Sequence, residues 1–136
     1  MNKKTVLDML RDILYTVLAH VELLGELTSL IAGSGVEVKF ITLLVARLQA
    51  LASHGVHATV MQEFESLRGS SGLYSMHLSG KGFNIRVLYG FLPNGQPVLL
   101  RAFHEQGGKK KTDYSSHIPV ASLRLEEMRK DFENEN

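Results

Sequence analysis

The chain has 136 residues, 44% apolar and 21% charged, with a formal net charge of +1 and no cysteine. One domain of this length buries roughly 68–70% of its unfolded surface, and the missing cysteines exclude disulfide staples and thiolate metal sites. No apolar run approaches the ~18–20 residues of a membrane span. Asp8, Arg11 and Asp12 break up any signal-peptide core behind Lys3 and Lys4, so the expected location is the cytoplasm, with no membrane partner.

Residues 3 to 24 predict an amphipathic helix. Val6, Leu10, Ile13, Val17, Val21 and Leu24 recur at three- and four-residue steps, and Leu7, Leu14 and Leu18 widen the stripe. Tyr15-Thr16-Val17 is β-rich, but the period favours helix. A shorter helical segment then runs from Gly25 to Gly33. Ser34-Gly35-Val36-Glu37 has the form of a capping box. The helix it opens turns Phe40, Ile41, Leu44, Val45, Leu48 and Leu51 inward and stops at Gly55. His54 and His57 follow, with no third ligand at metal-binding spacing. Residues 58 to 67 predict a short helix with Val60, Phe64 and Leu67 inward, and Arg68 to Gly72 a loop.

Near Gly72 the hydrophobic period changes from 3.6 to 2. Leu73 to Leu78, Phe83 to Phe91 and Pro97 to Phe103 each alternate as half-buried strands do. Gly80-Lys81-Gly82 and Pro93-Asn94-Gly95 are the turns, and Asn-Gly is a strong hairpin signal. A closing helix near 119–130 places Pro119 in its first turn and buries Val120, Leu123, Leu125 and Met128. The expected fold is α+β: a helical N-terminal half on a small antiparallel meander, with a C-terminal helix.

The near-neutral net charge hides a segregated pattern. From Arg68 to Lys111 there are seven cations and a single acid, Glu105, a balance of +6. A basic sheet-and-loop region of this kind points to a polyanionic partner, RNA or DNA first.

The second half resembles the RelE/HigB toxin superfamily, in its phage-derived, HigB-like branch. Gly72-Leu73-Tyr74 matches the start of that branch's G-L-Y-E-L-R strand, and Arg86-Val87-Leu88-Tyr89 its R-V-x-Y strand. Leu99-Leu100 with Ala102-Phe103 matches the third strand, and Lys109-Lys110-Lys111-Thr112 the K-K-x-x-K-T loop. Ala121 to Arg124 falls in the closing helix, and Ser34 to Ser53 is like the helix these toxins pack on the sheet. The likeness runs from about residue 34 to 128, leaving 1–33 as an atypical helical extension of one domain.

The resemblance implies a type II toxin, restrained by a cognate antitoxin, that cleaves mRNA, often on the ribosome. The RNA's own 2′-hydroxyl attacks the neighbouring phosphate, and no metal or cofactor is required. Arginine and lysine stabilise the developing charge, and a histidine or tyrosine handles protons. The catalytic candidates are therefore Arg86, His77, Lys110 and Lys111. The RNA-binding candidates are Arg68, Lys81, Arg101, His104, Lys109 and Tyr114. Two departures stand out. Ser75-Met76-His77 replaces the branch's Glu-Leu-Arg, and the N-terminal strand common in these toxins is read here as helix. A non-catalytic RNA- or protein-binding module on the same fold, and a gyrase poison of ParE type, are the alternatives. The N-terminal helix is also a candidate surface for an antitoxin segment or a homodimer.

Overall fold

The structure, a computed structural model, describes residues 1–105 and 113–135. Helix α1 spans Lys3–Leu14, strand β1 Leu18–Ala19, α2 Leu23–Ile31 and α3 Glu37–His54. A 3-10 turn over Gly55–Val60 leads to β2 (Phe64–Ser66), β3 (Tyr74–Gly80), β4 (Phe83–Phe91) and β5 (Pro97–His104). Helix α4, His117–Glu135, closes the described chain. The predicted α+β class holds. The sheet has five strands in the order β1-β5-β4-β3-β2, antiparallel except where β1 joins β5 in parallel. No helix among the described residues is long and apolar enough to cross a membrane.

The meander follows the alternation that predicted it. On one face Met76, Leu78, Ile85, Val87, Tyr89, Leu99 and Ala102 form one core with Val6, Leu10, Leu27, Phe40 and Leu44 of the first three helices. On the other, Leu88, Val98, Leu100 and Phe103 pack with Ala121 and Leu125 of α4. Each fully buried side chain of this kind stabilises the fold by roughly 1.5–3 kcal/mol. The register slips beside Leu88 and Tyr89, whose partners are Arg101 and Leu99. Leu100 is the extra residue, and it lets Leu99 and Ala102 share a face that strict alternation would deny them. The β3–β4 turn needs Gly82, whose φ of +94° few L-residues adopt. Asn94 closes the β4–β5 turn by accepting from Gln96 N at 3.0 Å.

Four local expectations are corrected. The helix expected over residues 3 to 24 ends at Leu14, and Val21 is 83% exposed. Thr16 Oγ1 donates to Ile13 O at 2.7 Å, competing with helical continuation. Leu18–Ala19 then pairs with Val98–Leu99, and His20 N donates to Leu99 O at 2.8 Å. An open edge of β5 outweighs local period here. The helix expected over 58–67 is instead the 3-10 turn followed by β2, where Phe64 is buried opposite Met76. The capping box is displaced as well. Val36 holds the N-cap position of α3, and Glu37 reaches back to Gly33 N at 3.0 Å rather than to Ser34. In α4, Ala121 and Leu125 carry the burial, whereas Leu123 is 59% exposed.

A second tie joins the layers. Glu26 on α2 accepts from Arg101 Nη1 at 2.7 Å and from Ala102 N at 3.1 Å, and it pairs with Arg124 Nη1 of α4 at 2.8 Å. One carboxylate thus links a helix on one face, a strand and a helix on the other face.

Gly90 sets how closely α4 approaches. A Cβ there would sit 2.9 Å from Leu125 Cδ2 and 3.4 Å from Gly72 O. Gly90→Val is expected to destabilise the fold by about 1–3 kcal/mol through overpacking. Combined with Leu125→Ala, its cost in urea unfolding should fall well below the sum of the two single variants.

Candidate active site

Period 2 places Ser75 and His77 of β3 on one face with Asn84 and Arg86 of β4. This is the α4 face, beside Phe103 of the apolar cluster, which stands opposite Arg86. His77 stands directly opposite Arg86 in the ladder, and Ser75 opposite Glu65 of β2. Glu105, just past β5, completes the group, its backbone N–H donating to Asn84 O at 2.9 Å. Tyr114 approaches from the segment before α4, its ring edge-on to Phe103 at 6.1 Å.

The polar atoms form one connected network. Arg86 Nε donates to Glu105 Oε2 at 2.9 Å and Nη2 to Glu105 Oε1 at 3.3 Å, a two-pronged pair. His77 Nε2 lies 3.0 Å from the same Oε2 and also meets Asn84 Oδ1. Both neighbours are acceptors, so Nε2 carries the hydrogen. Arg86 Nη1 lies 3.6 Å from Glu65 Oε1. The Tyr114 hydroxyl donates to that same Oε1 and sits 3.1 Å from Ser75 Oγ. Burial, and after it the bond to Glu65, pushes the Tyr114 phenol up to about 12. Tyr114 is therefore a neutral hydrogen-bond donor at neutral pH. The side chains of Arg86 and Glu105 are 15% and 13% exposed and that of His77 28%. The cluster is accessible on one side and desolvated on the other, where charge–charge contacts are worth more than in water.

The remaining candidates fall elsewhere. Arg101 is held by Glu26, and its Nε donates to His117 Nδ1 at 3.2 Å. His104 ends β5 in an exposed position beside Glu22, Gly25 and Leu30 of the α2 side. Arg68 is exposed in the β2–β3 loop, and Lys81 on the β3–β4 turn beside Val38 and Phe83. Lys109, Lys110 and Lys111 lie outside the described residues. So the structure brings together His77, Arg86 and Tyr114 and separates them from Arg101, Arg68 and Lys81.

Glu105, Glu65, Asn84 and Ser75 were not among the candidates. Strand parity alone puts Asn84 and Ser75 on the face of Arg86 and His77. Glu105 also carried a signal, as the single acid in a stretch of seven cations. Among the described residues, no group of three or more histidines and carboxylates is arranged to hold a metal ion.

Comparison with protein-family models, with curated proteins and with solved structures gives no match for the chain.

His117 lies beside the site and titrates with the fold. Its ring stacks on Phe103 at 3.7 Å, and burial, reinforced by Arg101, lowers its pKa from the usual 6.5. A depressed histidine favours the folded state fully above the unfolded pKa, and that contribution is lost as pH falls through the folded value. Stability measured by urea unfolding should therefore decline below about pH 6.5, and His117→Gln should flatten that part of the slope. Parallel slopes for the two proteins would exclude this role.

Proposed function

We propose that the chain is an RNA-cleaving toxin of RelE/HigB type, restrained by a protein antitoxin in the cytoplasm, with the His77–Arg86 cluster as its phosphate-handling site. The observation that carries this reading is the direct cross-strand opposition of His77 and Arg86, both partly desolvated, with the Tyr114 hydroxyl nearby. A cation with a planar fork of donors matches a phosphate's oxygens, and a histidine moves protons near neutral pH. Further support comes from the order of elements. Of the stretches that carry the resemblance, those within the described residues open β3, lie in β4 and β5, and fall in α3 and α4.

In the proposed reaction the RNA 2′-oxygen attacks the adjacent phosphorus and gives up its proton. The bond from phosphorus to the 5′-oxygen breaks, that oxygen takes a proton, and a 2′,3′-cyclic phosphate remains. Arg86 stabilises charge on the equatorial oxygens, and His77 serves proton transfer. Lys110 and Lys111, outside the described residues, are the proposed further cations, and Arg68, Lys81 and Lys109 extend the electrostatic footprint along the RNA. An acidic or amphipathic antitoxin segment is the complementary partner.

One observation favours a second reading, a non-catalytic RNA-binding module. Arg86 is already paired with Glu105, as in a structural cross-strand ion pair.

Induced expression with mapping of new mRNA 5′ ends separates the two. The nuclease gives codon-phased ends and growth arrest, and Arg86→Ala abolishes both while circular dichroism stays native. Removal of one preorganised donor costs about 10²–10³-fold in rate, and His77→Ala about 10²–10⁴-fold if the ring carries the proton. Full toxicity in a folded Arg86→Ala variant would remove this mechanism, and DNA damage without RNA cleavage would identify a gyrase poison.

A further inference from the structure

The position that a phosphate needs is already filled. Glu105 offers Oε2 to Arg86 Nε at 2.9 Å and to His77 Nε2 at 3.0 Å, and Oε1 to Arg86 Nη2 at 3.3 Å. Two oxygens of one carboxylate thus meet the guanidinium fork and the imidazole, as two oxygens of one phosphate would. Glu65 approaches the third guanidinium nitrogen at 3.6 Å. Among the described residues, the Arg86 guanidinium is thus faced by two carboxylates where a polyanion must dock.

The two carboxylates are not equivalent. The Glu65 side chain is 48% exposed and its longer contact is screened by water. Glu105 is 13% exposed and bidentate, so it is the competitor that matters. We infer that Glu105 is a built-in competitor for phosphate: its carboxylate occupies the anion position between Arg86 and His77, and RNA engages Arg86 only by displacing it. The inference rests on the reading of Arg86 as a phosphate ligand, and it regulates that same site. A carboxylate acting as general base for the 2′-hydroxyl is the competing role, and it predicts the opposite sign. Removing a base abolishes turnover, whereas removing a competitor increases binding.

The same arrangement gives a built-in threshold. If the Arg86 fork is free in a tenth of the molecules, apparent affinity for any phosphate falls about tenfold below the intrinsic value. A substrate presented with many contacts overcomes that threshold. A stray nucleotide does not.

The test titrates the whole folded chain with inorganic phosphate at low ionic strength, following the Arg86 Nε–H and His77 ring signals by NMR. Glu105→Gln keeps the shape of the side chain and removes its charge. The expected result is about tenfold tighter phosphate binding in Glu105→Gln, with the gain lost when Arg86→Ala is added. Glu105→Asp, too short to span the fork in the same way, should give an intermediate gain and serves if the glutamine variant unfolds. Unchanged or weaker phosphate binding in folded Glu105 variants overturns the inference, as does a gain that survives without Arg86. RNA cleavage is read separately. A phosphate gain in a chain that cuts no RNA sinks the nuclease reading and leaves the competition standing. Cleavage abolished in Glu105→Gln with phosphate affinity unchanged makes Glu105 the base and ends the proposal.

Discussion

Strand β4 is apolar on both sides, and the rest of the architecture answers to that. Ile85, Val87 and Tyr89 point to one face and Leu88 to the other, all fully buried. A sheet with two apolar faces cannot stand in water on either side, so it requires two covers. Helices α1, α2 and α3 supply one, and α4 the other. The chain cannot satisfy this in a single pass, which is why helices lie at both ends of the sequence with the meander between them. Gly90 marks how closely the second cover fits, since no side chain has room beneath Leu125.

The covers are unequal, and chemistry is confined to what they leave open. Helix α4 packs on Leu88, Leu100 and Phe103, whereas His77 and Arg86, in the same cross-strand row as Phe103, stay partly exposed. There the alternation continues with polar side chains, so a strand pattern that elsewhere builds core builds a charged surface instead. Tyr114 and His117, either side of the entrance to α4, pack on Phe103 and form the boundary between the dry and wet parts of the face. The site is thus positioned by packing rather than by its own hydrogen bonds. Its ring of acceptors around His77 and Arg86 is laid on a scaffold already determined by apolar contacts.

Much of this was legible in the residues, for identifiable reasons. The three central strands, their turns and the facing of His77 and Arg86 follow from period 2, broken once at Leu100, with glycine and asparagine at the turns. The N-terminal region misled because Leu18–Ala19 is too short to carry a period of its own, and it continues the helical spacing of Val6, Leu10 and Leu14. Its strand state depends on an edge of β5 contributed by residues about eighty positions later, and no local pattern encodes that. Phe64 was misread similarly: one inward aromatic fits a helix or a strand until Met76 stands beside it. Within the site, cations were found because charge segregation marks them. The carboxylates that engage them were missed, since two of the ion pairs join residues 19 and 21 apart in the chain (86 to 105 and 65 to 86).

Among the described residues, strand β1 pairs only with Val98 and Leu99, and the outer half of β5 is a sheet margin. Unpaired backbone at such a margin is a template on which another chain can add itself. Glu26 accepts the Ala102 N–H and brings a charge to the margin with Arg101 and Arg124 beside it. A foreign strand arriving there meets a bonded donor and a charge it would have to desolvate. The carboxylate that fastens the layers together therefore also occupies a donor that strand addition at this margin would need.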